Sequence, residues 1–199
     1  FYYTQTHRND HPEHAHFRGL NIAGRRVFND YRVIVGGEAL QPGFARAVVF
    51  PDALQRTYPK GVTETLRLFD DQDVVEVALD GATGAARLEL SGDHVTADGT
   101  RDGVDDYVSR DPGHTDHLAV ARNGSSFLVA VGDSRESARA LAATAVRDAV
   151  AWRSRRHARM ESVIGADHFV WTDDPRLAAS LRWLQLTTDS LVTRQRGDG

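Results

Sequence analysis

The feature that most constrains this chain is its punctuation between residues 31 and 131. Residues 31–35, 44–50, 62–69 and 74–79 are short runs rich in β-branched side chains, each too short for a typical helix. Gly36-Gly37, Pro42-Gly43, Pro59-Lys60-Gly61 and Asp70-Asp71 interrupt them with residues suited to turns. Further candidate strands cover residues 88–90, 94–96, 107–108, 118–121 and 127–131. In Leu66-Arg67-Leu68 and Leu88-Glu89-Leu90 apolar and charged residues alternate, the pattern of a sheet with one face buried and one wet. Strands at this spacing, with no helix between them, predict an antiparallel β-sandwich or barrel rather than a parallel sheet with crossover helices.

After residue 132 the period changes. Asp133 and Glu136 stand at capping-box spacing, and Ala138, Leu141, Ala142, Ala145, Val146, Ala149 and Trp152 recur on one helical stripe. A helix is expected over 134–157, ending in the basic Arg153-Ser154-Arg155-Arg156-His157, which suits a helix C-terminus electrostatically. Residues 159–165 read as a short helical connector closed by glycine. A final helix follows, capped by Asp173 or Asp174 with Pro175 at its first position and Leu177, Ala178, Leu181, Leu184 and Leu191 along its apolar stripe. That helix looks like the start of a second domain, so the chain reads as a fragment. Phe1-Tyr2-Tyr3-Thr4 is neither a signal peptide nor an initiator methionine, so an N-terminus set by processing is expected.

Composition then excludes several function classes. With 199 residues, 41% of them hydrophobic, the chain can bury an ordinary core. A net charge of -4 argues against a nucleic-acid partner, because phosphate binding needs a clustered excess of basic side chains. All the basic residues except Lys60 are arginines. The absence of cysteine removes disulfides, thiolate metal sites and cysteine nucleophiles. No apolar run reaches the ~20 residues of a membrane-spanning helix, so no membrane partner is expected.

Several residues could carry chemistry. His7, His11, His14 and His16, with Asp10 and Glu13 beside them, offer borderline metal ligands, and the spacing of His14 and His16 would put both rings on one side of an extended strand. Pro12 interrupts such a strand, and no downstream residue is marked as the completing ligand. His114 and His117 flank Asp116, which could tune either ring as an acid or base, although turn composition explains the segment more simply. Residues 93–113 are acidic and read as a solvated excursion. Asp98, Asp102, Asp105 and Asp106 could ligate calcium there, but their spacing matches no EF-hand. The glycines of residues 81–84 and 124–127 lack the lysine and strand-to-helix setting of a phosphate loop and read as turns. Trp152, Trp171 and Trp183 could stack on sugar rings; Trp152 and Trp183 fit better as seam residues of amphipathic helices. No pair of acids is singled out as a glycosidase pair. Neither catalytic residues, nor a metal, nor a cofactor can be assigned within 1–199.

The order of a β-rich module, a helix, and then residues 169–199, including Asp173-Asp174-Pro175, Leu181 to Val192 and Arg196-Gly197-Asp198-Gly199, resembles the domain junction of bacterial glycogen debranching enzymes of the amylo-α-1,6-glucosidase type and related α/α-toroid glycoside hydrolases. The resemblance implies an N-terminal β-supersandwich over 1–132, a helical linker over 133–172, and the first helix of a catalytic toroid from 173. It also implies that the catalytic carboxylates lie beyond Gly199. On that basis the chain would be a non-catalytic module, inactive alone. Its partner would be its own catalytic domain, with an α-glucan or other oligosaccharide as the substrate of the whole protein in the cytoplasm. Two alternatives remain. One is a free-standing carbohydrate-binding or protein-interaction β-sandwich. The other is a mutarotase-like enzyme using His94 or His117 beside a carboxylate.

Overall fold

The computed structural model describes residues 2–4, 19–22, 25–165 and 173–191. Among them are strands β1 (Tyr2–Thr4), β2 (Gly19–Ile22), β3 (Arg25–Phe28), β4 (Asp30–Val35), β5 (Glu38–Ala39), β6 (Arg46–Phe50) and β7 (Ala53–Thr57). Then come β8 (Thr63–Leu68), β9 (Val74–Asp80), β10 (Ala86–Ser91), β11 (Val95–Arg101), β12 (Val104–Asp111), β13 (His114–Asn123) and β14 (Ser126–Gly132). Helices α1 (Arg135–Gly165) and α2 (Pro175–Leu191) follow. Two compact units result, Phe1–Val150 and Ala151–Gly199, so the division falls inside α1.

The first unit is an antiparallel β-sandwich, the predicted class. Its large sheet has eight strands in the order β11-β12-β13-β14-β9-β8-β7-β6, and two three-stranded sheets, β1-β2-β3 and β10-β4-β5, accompany it. Register explains the core. Leu54 pairs with Leu66, Leu66 with Val77 and Val77 with Phe127, while Tyr107 pairs with Leu118 and Leu118 with Val131. Because side chains alternate along a strand, these rows share one face. They form a single buried cluster with Leu20, Val27 and Phe28 of the first small sheet and Tyr31, Val33, Leu88 and Leu90 of the second.

The expectation of one wet face fails for the central strands. Val74, Glu76, Ala119, Leu128 and Ala130, all on the opposite face, are fully buried. The first half of α1 belongs to this face. Asn123 Nδ2 donates to the Val146 carbonyl at 2.9 Å, and Arg139 holds Asp106 with Nε to Oδ1 at 2.9 Å. Ala138, Ala142, Ala145 and Ala149 are all buried, and residues this small let a helix lie close to a sheet. Gly132 marks the closest approach. A Cβ built there would stand 2.7 Å from the Ala138 nitrogen.

Four local expectations are corrected. The candidate strands at 94–96 and 107–108 fall on β11 and β12, but the stretch read as a solvated excursion between them is the rest of that hairpin, with a tight Asp102-Gly103 turn in which both residues adopt positive φ. Phe44 lies in a single helical turn, Pro42–Phe44, so the strand expected from 44 starts at Arg46. The helix expected over 134–157 and the connector over 159–165 are one continuous helix, since nothing between them breaks the main-chain ladder. Its cap is Ser134 rather than Asp133: the Ser137 amide donates to Ser134 Oγ at 3.1 Å and the Ser134 amide to Ser137 Oγ at 3.0 Å. Asp174 caps α2, accepting from the Arg176 amide at 2.8 Å.

In the second unit Trp152, Met160 and Leu186 are buried, and Arg159 Nη2 pairs with Asp189 Oδ2 at 2.8 Å. Leu177, Trp183 and Leu184 instead point outward, 49%, 42% and 61% exposed. The seam position expected for Trp183 is therefore overturned.

Gly132→Ala should destabilise the first unit by about 1–3 kcal/mol, because a methyl there meets the Ala138 main chain and also Ser137 Oγ, which the cap bonds to Ser134 hold in place. Urea unfolding followed by circular dichroism measures it; an unchanged midpoint would show that helix and strand are not in contact here.

Candidate functional site

Two places in the first unit gather polar side chains. The first begins at a cleft of about 400 Å³ lined by Val35, Leu40, Phe44, Tyr58, Lys60 and Val62 among others. Lys60 stands at its rim with φ 75°, a left-handed conformation uncommon for a side-chain-bearing residue. Its Nζ donates to Glu38 Oε2 at 2.6 Å, and that contact holds the exposed Glu38 carboxyl below its usual range.

Behind Tyr58 lies a buried ionic network. Glu64 Oε1 accepts from Tyr31 Oη at 2.6 Å and from Arg56 Nη1 at 2.9 Å, while Glu64 Oε2 accepts from Tyr58 Oη at 2.8 Å. Arg56 Nη1 also donates to Tyr31 Oη at 3.2 Å. Arg56 and Glu64 are only 5% and 2% exposed, so each depends on the other for charge compensation. Burial, and then the negative charge of Glu64, push the Tyr58 hydroxyl well above its ordinary pKa. With three donors on two shielded oxygens, Glu64 anchors the fold.

Sequence reasoning missed this network. Its signal was parity: Glu64 is an even number of residues from Leu66 and Leu68 and so shares their inward face.

The second place is the start of β13. His114 Nε2 lies 3.0 Å from Asp116 Oδ1, and Arg25 Nη2 donates to the same oxygen at 3.2 Å. Ligand atoms of His114, Asp116 and Asp133 all fall within 4.8 Å of one another. An imidazole and two carboxylates are an acceptable donor set for a divalent cation. Arg25, however, already sets a positive charge against the buried Asp116, which a metal ion would have to share. The arrangement therefore acts as an ion pair that orients the His114 ring.

The other sequence candidates are dispersed. His117, one residue beyond Asp116, faces the opposite side of the sheet, in register with Val108 and Gly132, so Asp116 serves His114 alone. His94 Nε2 lies 3.2 Å from the Arg26 carbonyl oxygen, a main-chain partner in place of the carboxylate a mutarotase-like site needs. The four aspartates considered for calcium are engaged elsewhere. Arg135 pairs with Asp98, Arg139 with Asp106 and Asp102, and Thr100 Oγ1 donates to Asp105 Oδ1 at 2.5 Å. The Arg135 contact holds the Asp98 carboxyl below its usual range. Trp152 is buried, whereas Trp183 is exposed. His7, His11, His14, His16, Asp10, Glu13 and Trp171 lie outside the described residues, as do Leu191's side chain and residues 192–199.

Fold and polar clusters together define an antiparallel β-sandwich, one sheet face of which carries a helix. No family model, curated protein or solved structure matches the chain. No helix among the described residues is long and apolar enough to cross a membrane.

Glu64→Gln should cost about 3–5 kcal/mol in chemical denaturation, because it removes the carboxylate charge from the buried Arg56–Glu64 pair; a loss below about 1 kcal/mol would contradict the anchoring role. The raised Tyr58 pKa gives a pH dependence of definite sign. Its stabilising contribution is complete below the ordinary tyrosine value of 10.0 and drains away above it, as ionisation of the unfolded chain pulls the equilibrium. Tyr58→Phe should therefore flatten the fall of unfolding free energy above pH 10, measured by urea titration at several pH values.

Proposed function

We propose that this chain is a non-catalytic module of an α-glucan-processing glycoside hydrolase, of the debranching α-1,6-glucosidase type. It packs against a helical catalytic domain and shapes the glucan cleft. The observation that carries the reading is the outer face of α2. A 17-residue helix leaves Leu177, Trp183 and Leu184 exposed while it buries Leu186. Large apolar residues on the open face of a capped helix have a cost in water that a covering surface removes.

The polar clusters support the same division of labour. Glu64 is saturated, Asp116 is committed to Arg25 and His114, and Asp106 to Arg139. Each of these three acids holds structure together, as expected of a module that leaves hydrolysis to another domain. The resemblance of residues 169–199 to a toroid junction supplies the substrate class.

The isolated chain should release no glucose from a branched α-dextrin and should migrate unretarded through a glycogen-containing native gel. Glucose release would overturn the non-catalytic assignment. Retardation would favour a free-standing carbohydrate-binding module. A Leu184→Ser variant should keep its unfolding free energy within about 1 kcal/mol, since this side chain is the most exposed of the three. A larger loss would show that α2 is already covered by its own chain and would remove the argument for a covering domain.

A further inference from the structure

The open edge of the large sheet carries an inference that is independent of the proposed activity. β6 ends the eight-stranded sheet, and all five of its residues, Arg46, Ala47, Val48, Val49 and Phe50, are exposed. Val49 continues the core row Leu54–Leu66–Val77 yet is 60% exposed. Soluble proteins protect such edges with lysines, prolines, inward charges or bulges. Here the strand holds one charge, Arg46 at its first residue, and neither a proline nor a bulge.

The main chain of this edge is self-complementary. Phe50 pairs with Ala53 across the two-residue turn Pro51-Asp52, so Phe50 and Ala53 are a hydrogen-bonded pair. Successive pairs alternate in type. Arg46, Val48 and Phe50 direct their main-chain groups toward β7, while Ala47 and Val49 direct theirs outward. An antiparallel copy related by a two-fold axis at Val48 sets Ala47 opposite Val49 twice, which satisfies every outward donor and acceptor of both residues with four hydrogen bonds. The same register places Arg46 across from Phe50 of the other copy, a cation–π arrangement, and keeps the two arginines apart. An axis at Val49 fits less well. It would set Ala47 opposite Pro51, which has no N–H to donate.

We propose that β6 pairs with β6 of a second copy of this chain, joining the two large sheets through an antiparallel interface centred on Val48. The contact is short, so the dimer belongs to the weak class, dissociating at about micromolar concentrations or above.

Because the chain has no native cysteine, single-cysteine variants read the register directly. Val48→Cys should crosslink efficiently under mild oxidation, since non-hydrogen-bonded cross-strand Cα atoms lie about 4.5 Å apart, within disulfide range. Arg46→Cys should crosslink at least tenfold less, because its equivalents would be about 13 Å apart. Val48→Lys should abolish dimers in sedimentation velocity by setting like charges opposite, and mixing it with Val48→Asp should restore a heterodimer. All these variants lie on the exposed edge, and circular dichroism confirms their folding. Wild-type protein that stays monomeric to roughly 1 mM, well above the dissociation range of a weak interface, would overturn the proposal. So would equal crosslinking at both positions, stronger crosslinking from Val49→Cys, or failure of the Lys and Asp variants to pair.

Discussion

The structure depends on burying β9, β13 and β14 from both sides. Their core face meets the two small sheets through Val75, Val77, Leu118, Val120, Phe127 and Val129. Their other face buries Val74, Glu76, Ala119, Leu128 and Ala130 on the side to which the first half of α1 is bonded. Neither contact would hold the sheet alone, since a sheet wet on one face could not keep residues this apolar there. The alanine stripe of α1 and the bare backbone at Gly132 bring the helix close, while Arg135 and Arg139 reach Asp98 and Asp106 of the β11–β12 hairpin. One helix thereby covers the middle of the sheet and secures its far edge.

At the other edge the interactions differ in kind. Arg56 and Glu64 on β7 and β8 occupy core-facing positions that apolar rows fill elsewhere, and two tyrosine hydroxyls complete their hydrogen bonding. A buried ion pair is a poor source of net stability, but breaking one is expensive. Its effect is directional: Tyr31 of β4 and Tyr58 near the cleft must sit where Glu64 can accept from both. Beyond this network the sheet runs into β6, where the core row continues without cover.

Much of the sandwich was legible because period-two alternation and turn residues are local properties. The runs at 31–35, 62–69 and 74–79 became β4, β8 and β9, and the alanine stripe from 138 to 149 became the buried side of α1. The extent of the β11–β12 hairpin beyond the runs at 94–96 and 107–108 was hidden because its outer strand has no buried side chain, and an exposed strand looks like a loop when burial is the only criterion. The helix cap was misplaced by one residue, since Asp133, Ser134 and Ser137 all have capping chemistry and geometry alone selects the serines.

The polar sites divide along the same line. Residue type and spacing by themselves determined which groups could act: the histidines, the aspartates of 98–106, the absence of thiols, and the inward parity of Glu64. Only tertiary structure decided which of them meet. Asp116 meets His114 and Arg25 but not His117, because alternation sends neighbouring residues to opposite faces of the sheet. Arg25 is 91 residues away from Asp116, and Tyr31 is 33 from Glu64. Contacts over such separations depend on how strands pair and sheets pack, and local pattern carries no record of that pairing.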